Sequence, residues 1–332
     1  MKKINLAVVG ATGMVGRKLL TVLEEKNLPV ENYYLFASKR SAGSTVSFMG
    51  KDYTVIELNE ENVKKYPVDI AIFSAGASTS KTFAPIFAGL GATVVDNSSC
   101  WRMDKDVPLV VPEVNPEDIK WNKGIIANPN CSTIQAVVAL KPLYDKYGIK
   151  RIVYSTYQAV SGAGVAGYND LKDGLLGASP KKFAYPIANN CLPHIDDFLD
   201  NGYTKEEMKM VNETRKILHD DNIKITATTV RVPVFHGHSE SINVEFNSPA
   251  TLDGVFDALR NFNEGLIVCD DVKNLVYPLP IHAENRNEVF VGRIRLDESL
   301  DSGINMWVVA DNIRKGAATN AVQIAELLIA NM

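Results

Sequence analysis

Ile4-Asn5-Leu6-Ala7-Val8-Val9-Gly10-Ala11-Thr12-Gly13-Met14-Val15-Gly16 changes character twice within thirteen residues. Ile4 to Val9 is a nearly continuous apolar run rich in β-branched residues, the pattern of a strand buried on both faces of a parallel sheet. Three glycines follow at G-x-x-G-x-x-G spacing. Arg17 to Glu25 then carries Leu19, Leu20, Val22 and Leu23 at helical spacing. Strand, glycine turn and helix together form the context of a dinucleotide-binding turn. Gly10 permits the tight turn, Gly13 lets the backbone approach a pyrophosphate, and Gly16 lets helix and strand pack closely. The spacing is a variant of the commoner G-x-G-x-x-G, and a glycine turn without a ligand is the alternative.

The next strand, Tyr33 to Ala37, ends where such a fold reads the adenine ribose. An acidic residue there selects NAD; this chain has Ser38-Lys39-Arg40-Ser41-Ala42-Gly43 instead. Two cations and two hydroxyls suit a 2′-phosphate, so the expected cofactor is NADP, against the alternative of a solvated basic loop. Further α/β units follow. Asp69 to Phe73 reads as a strand, with a helix over Thr82 to Gly89 that tolerates Pro85 in its first turn. Ala92 to Val95 and Gly124 to Ala127 read as further strands. Ligands in open α/β sheets gather outside the carboxyl ends of strands. Arg102, after Ala92 to Val95, is therefore a candidate grip for an anion, or else a surface ion pair.

The totals agree. A chain of 332 residues is long for one core and points to two domains. A net charge of −4 argues against a nucleic-acid binder. No apolar run is long enough to span a bilayer, and the apolar start is too short for a signal peptide before its glycine turn. Cys100, Cys131, Cys191 and Cys269 are widely spaced, so reduced thiols and a cytoplasmic location are expected. His236-Gly237-His238 lacks a third ligand nearby, and no metal site is expected.

Asn128-Pro129-Asn130-Cys131-Ser132-Thr133 holds the main chemical signal. A helix is predicted from about Ser132 to Tyr147, so Cys131 lies at its N-terminus. The helix dipole there favours a thiolate, and the free N–H groups are able to hold an oxyanion. An inert core thiol is the alternative. A base is expected from the pair His236 and His238, between strands Ile225 to Val232 and Ser241 to Phe246.

G-A-T-G-M-V-G, N-P-N-C-S-T-I-Q and R-V-P-V-x-x-x-H-S-E resemble the aspartate-β-semialdehyde dehydrogenase family, in that family's order and from Lys3 to nearly the last helix. The resemblance implies NADP- and phosphate-dependent oxidation of L-aspartate 4-semialdehyde, run in reverse in cells toward lysine, threonine and methionine. It implies Cys131 as the nucleophile, His238 rather than His236 as the acid/base, and Gln158 as the group that orients the intermediate. By the same resemblance, Asn130 would line the site, Arg231 would be the carboxylate clamp, Glu213 would meet the substrate amine, and Lys216, Arg102 and Ser99 would meet phosphate. Glu213 and Lys216 share a helix face at i, i+3. For NADP, Gly10, Thr12, Gly13, Met14 and Val15 form the pyrophosphate turn. Ser38, Arg40 and Ser41 hold the 2′-phosphate, and Ser161, Gly162 and Asn320 lie near the nicotinamide. A homodimer formed through the second domain's sheet is implied.

The fold class expected is α/β: an N-terminal, Rossmann-type, doubly wound and mostly parallel sheet, plus a C-terminal α+β catalytic and dimerisation domain. The first domain spans residues 1–130, completed by the C-terminal helix 314–332; the second spans 131–313. Its helices are expected near Gly167 to Leu176 and Lys205 to Leu218. Its strands include Ile152 to Ala159, Val289 to Leu296 and Ile304 to Ala310. The rivals are N-acetyl-γ-glutamyl-phosphate reductase, which needs room for an N-acetyl group where Glu213 suits a free amine, and a non-catalytic binding paralogue.

Overall fold

The computed structural model describes residues 3–262 and 265–332; Met1 and Lys2, where the first-domain expectation starts, lie outside it. In chain order the elements are β1 (Ile4–Val9), α1 (Met14–Lys26), β2 (Val30–Ala37), β3 (Thr45–Phe48), β4 (Lys51–Thr54), β5 (Ile56–Glu57), α2 (Glu60–Lys65), β6 (Ile70–Phe73), α3 (Ala77–Gly89), β7 (Thr93–Asp96) and β8 (Ile125–Ala127). They continue with α4 (Cys131–Tyr147), β9 (Ile149–Gln158), α5 (Gly164–Gly174), α6 (Lys205–Leu218), β10 (Lys224–Arg231), β11 (His238–Phe246), α7 (Leu252–Asn261), β12 (Leu266–Val268), α8 (Pro280–Ala283), β13 (Val289–Leu296), β14 (Gly303–Ala310) and α9 (Asn320–Ala330). The chain divides into two compact units: the residues up to Pro129 with Ala317–Met332, and Asn130–Gly316.

The first unit is built on a six-stranded sheet of order β5-β2-β1-β6-β7-β8, parallel throughout. Its order reverses on either side of β1, so the crevice at the carboxyl end of β1 is the place for a ligand. Leu6, Val8, Ile70, Ile72 and Val95 lie against α1 and α9 through Leu19, Leu23, Val322 and Ile324 in one core. Ala7, Val9, Phe36, Phe73 and Val94 pack the opposite face with Ala84 and Phe87 of α3. Both sheet faces are covered, which is why β1 and β6 read as apolar runs rather than alternating ones. Pro85 differs from expectation: α3 starts at Ala77, so the proline sits two turns in. It lies on the exposed face, where the carbonyl that its missing N–H leaves unbonded is open to solvent.

The second unit carries a six-stranded mixed sheet of order β10-β9-β11-β14-β13-β12. One face is covered by α4 and α6. Along β11, His238, Glu240, Ile242 and Val244 are buried beneath them, while Ser241, Asn243 and Glu245 on the other face are half-buried. A Thr204 and Glu207 capping box starts α6, and Glu207 Oε1 accepts the Thr229 N–H (3.1 Å), which ties α6 to β10. β11 begins at His238, not at Ser241, because it pairs with β14 from His238 opposite Ala310. α5 begins at Gly164, ahead of the expected Gly167.

Candidate active site

Cys131 is the first residue of α4, and Asn130 is its N-cap. Asn130 Oδ1 accepts the N–H groups of Ser132 (3.0 Å) and Thr133 (3.4 Å). The cap therefore takes two of the helix-start N–H groups that were expected to be able to hold an oxyanion. Asn130 is itself held from α6. Its backbone N–H donates to Glu213 Oε2 (2.6 Å), and its Nδ2 donates to Glu206 Oε1 (3.0 Å). Gly316 lies against Cys131; a Cβ added there would fall 2.8 Å from the cysteine's own.

Sheet register supplies the rest. Arg231 of β10 pairs with Gln158 of β9. Tyr157 pairs with Ser239, so the antiparallel register sets His238 beside Gln158. Arg231, Gln158 and His238 therefore form one row across three adjacent strands, on the face covered by α4. All three are buried. An added Cβ on Gly162 would meet Arg231 Nη1 at 2.9 Å and His238 Nε2 at 3.2 Å, so the two heads converge on one point beside that glycine. Arg231 Nη1 donates to the Ala159 carbonyl (2.7 Å), and its Nε has no hydrogen-bond partner among the described residues. Burial lowers the Arg231 pKa against the influence of Glu206 and of Cys131, whose charges bear on it. It stays a cation, as arginine does in proteins.

The His238 ring is held at Nδ1, which accepts the Ala159 N–H (3.0 Å). A neutral ring that accepts at Nδ1 carries its proton on Nε2. Nε2 is buried, without a hydrogen-bond partner among the described residues, on the side where Arg231 converges. Burial, and then the Arg231 charge, hold the His238 pKa well below its usual value. The resting ring is thus a neutral N–H donor. Gln135, one turn into α4, donates Nε2 to the His238 carbonyl (3.3 Å). Gln158 Nε2 donates to Thr156 Oγ1 (3.3 Å).

Behind this row lies a second: Thr229, Thr156 and Glu240. Glu240 is fully buried, neither oxygen has a hydrogen-bond partner among the described residues, and burial pushes its pKa well above its usual value.

The other expected residues fall as follows. Lys216 sits half-buried on α6, one turn from Glu213. Ser161 accepts from Asn312 Nδ2 (3.0 Å), and Asn312 Oδ1 also accepts the Gly237 N–H (3.0 Å). His236 packs its ring on Tyr168 and faces Glu284 at 3.9 Å. In the first unit, Arg102 is buried and donates to the carbonyls of Asn128 (3.0 Å) and Asn97 (2.9 Å), beyond β8 and β7, while Ser99 is exposed. Asn320 Nδ2 donates to the Val110 carbonyl (3.0 Å) and to Asn128 Oδ1 (2.7 Å).

The first unit also fits a dinucleotide. Gly10 has φ +89°, and a Cβ there would lie 2.3 Å from the Ser74 carbonyl oxygen. The α1 N-terminus at Met14 and Val15 has no side-chain cap from Gly13, so its first-turn N–H groups are suited to an anion. Thr12 Oγ1 donates to Ser41 Oγ (3.3 Å), joining that turn to the exposed Ser38, Lys39 and Arg40. Among the described residues no His, Cys, Asp and Glu cluster suits a metal, and no helix is long and apolar enough to cross a membrane.

Two family models match: "Semialdehyde dehydrogenase, NAD binding domain" over residues 5–122 and "Semialdehyde dehydrogenase, dimerisation domain" over residues 140–315. An aspartate-semialdehyde dehydrogenase of Aquifex aeolicus is 61% identical over 98% of both chains. The chain belongs to the aspartate-semialdehyde dehydrogenase family. The Bacillus subtilis member is 46% identical over 98% of this chain and 97% of its own. The Vibrio cholerae aspartate semialdehyde dehydrogenase II "complexed with ASA" superposes with a TM-score of 0.93, at 50% identity and 99% coverage of each chain. The Candida albicans member "with NADP" gives 0.78 at 31% identity, again covering 99% of each. Membership makes the protein an oxidoreductase of amino-acid biosynthesis with an NAD(P)-binding domain.

Glu206, Ala159 and Asn312 are not singled out by the sequence, and Gln135 closes the N-P-N-C-S-T-I-Q motif without a role read from it. Two had a usable signal. Gln135 stands four residues after Cys131, and Glu206 seven before Glu213, spacings that share a helix face.

Proposed function

We propose that the protein catalyses NADP- and phosphate-dependent interconversion of L-aspartate 4-semialdehyde and 4-phospho-L-aspartate. In the cell it would run as the reduction that feeds lysine, threonine and methionine synthesis. The reading is carried by the row Arg231, Gln158 and His238 in the same unit as the capped helix start at Cys131.

The Cys131 sulfur, as thiolate, adds to the aldehyde carbon, and the carbonyl electron pair moves to oxygen. His238 offers its Nε2–H to that oxygen, and Gln158 steadies it. Arg231 holds the substrate carboxylate by charge, and Glu213 and Lys216 meet the amine and phosphate. NADP, held by the glycine turn and the Ser38 to Ser41 loop, would supply the hydride acceptor for the adduct on Cys131, whose oxygen electron pair re-forms the carbonyl as a thioester with no proton to lose. A phosphate oxygen then attacks the thioester carbon, the C–S bond breaks, and the Cys131 thiolate leaves. Arg102 and Ser99 assist phosphate. Gly10, Thr12, Gly13, Met14 and Val15 hold the pyrophosphate, while Ser38, Arg40 and Ser41 hold the 2′-phosphate. Ser161, Gly162 and Asn320 border the nicotinamide. A homodimer through the open face of the second sheet completes the reading, as does a reducing, cytoplasmic setting for its free cysteines.

The test is phosphate-dependent NADPH formation from L-aspartate 4-semialdehyde by the native protein and by Cys131→Ala. Turnover in the first and its loss, by about 10⁴-fold or more, in the second is expected. An inactive native protein would overturn the substrate, and N-acetyl-glutamate semialdehyde would then be tried.

A further inference from the structure

We propose that Glu206 and Lys209 are positioning residues that fix the side-chain orientation of Asn130 and so hold the helix start that carries Cys131. An asparagine amide has two ends of opposite character, and only its oxygen caps a helix. Which end faces the helix is decided by what the other end meets. Asn130 Nδ2 meets Glu206 Oε1 at 3.0 Å. A carboxylate only accepts, so it selects the amide nitrogen and turns Oδ1 toward Ser132 and Thr133.

Glu206 is itself fixed. It is buried, and its second oxygen accepts from Lys209 Nζ (3.0 Å), which also donates to Asp196 (2.7 Å). Burial opposes its charge, but Lys209, the Asn130 amide and Arg231 outweigh burial and keep the carboxyl below its ordinary pKa. Glu206 also stands two helical turns before Glu213, which takes the Asn130 backbone N–H. One face of α6 thus grips both polar ends of the residue before the cysteine. The charged partners facing this carboxylate are Lys209 from its own helix and Arg231 from β10.

This arrangement makes an unusual prediction for Glu206→Gln. The Lys209 ammonium claims the new amide's oxygen, so its NH₂ faces Asn130 Nδ2. Two donors then oppose each other, and Asn130 relieves the clash by flipping, which uncaps α4. Removing the competitor as well, in Glu206→Gln with Lys209→Met, leaves the glutamine able to turn its oxygen to Asn130. The second substitution is expected to rescue the first.

The proposal rests on the catalytic reading above for its activity readout, but not for its structural one. Amide hydrogen exchange on the peptide spanning 131–137 needs no substrate. Glu206→Gln is expected to lose about tenfold or more of the protection at Ser132 and Thr133, with Lys209→Met alone near native and the double variant largely restored. In turnover, kcat should fall about tenfold in Glu206→Gln with KM for the aldehyde not raised, and recover to within about threefold in the double variant. A merely structural charge pair predicts that the two substitutions add. Unchanged protection in Glu206→Gln, or a loss that Lys209→Met deepens, would overturn the proposal. Restored protection in a protein that never turns over the aldehyde would instead count against the substrate assignment alone.

Discussion

Arg40 is the residue on which the proposed choice of NADP turns. It stands exposed beyond β2, in the loop joined to the glycine turn through Ser41 and Thr12. A charge-assisted bond from a guanidinium to a phosphate contributes about 1.5–3 kcal/mol. Arg40→Ala is therefore expected to raise KM for NADP by about tenfold or more while leaving KM for NAD nearly unchanged, measured by initial rates with each cofactor. His238 shows how one backbone N–H sets chemistry. Because Ala159 donates to Nδ1, the ring enters as an Nε2–H donor, whereas residue type alone suggests a base. The sequence singles out that histidine but does not disclose its tautomer, which depends on where β9 ends.

At the scale of elements, β11 carries two buried titratable groups whose effects on stability run in opposite directions with pH. The His238 pKa lies well below its usual value, so the unfolded chain takes up the proton first as pH falls below about 6.5. Native stability is lost in that direction. The Glu240 pKa lies well above its usual value, so the unfolded chain releases its proton first above about pH 4.3. That contribution is lost as pH rises toward the folded value. Measured by thermal unfolding between about pH 5 and pH 8, Glu240→Gln should gain on the native protein toward high pH, and His238→Gln toward low pH. Parallel pH curves for either variant and the native protein would contradict the assignment.

The same strand shows the limit of sequence reading. β1, β6 and α4 were legible because long apolar runs and helical stripes leave a clear period. β11 was expected to start at Ser241, because His238 and Glu240 are polar and look like a loop. They are buried because the helices above that face exclude water, a tertiary cause with no local trace. The hairpin of β3 and β4, and helix α7 with its Thr251 cap, went unread for a related reason: each is short, and packing on neighbours sustains it.

For the whole molecule, the parallel sheet of the first unit and the mixed sheet of the second match the two-domain α/β expectation, and the family models fall on them in order. The chain passes from the first unit to the second at Pro129 and Asn130 and returns at Gly316 and Ala317, so α9 completes the first core. The first crossing comes just before Cys131. What the sequence did not disclose is how the second unit fixes that cysteine: the α6 grip on Asn130 and the three-strand row depend on pairings between residues about 80 positions apart.

The most direct measurement is mass spectrometry of the enzyme quenched after mixing with L-aspartate 4-semialdehyde and NADP in the absence of phosphate. The account predicts an aspartyl thioester on the peptide carrying Cys131, one per site, that disappears when phosphate is added before the quench. A protein that forms NADPH with no adduct at Cys131, or with the adduct on Cys100, Cys191 or Cys269, would contradict it.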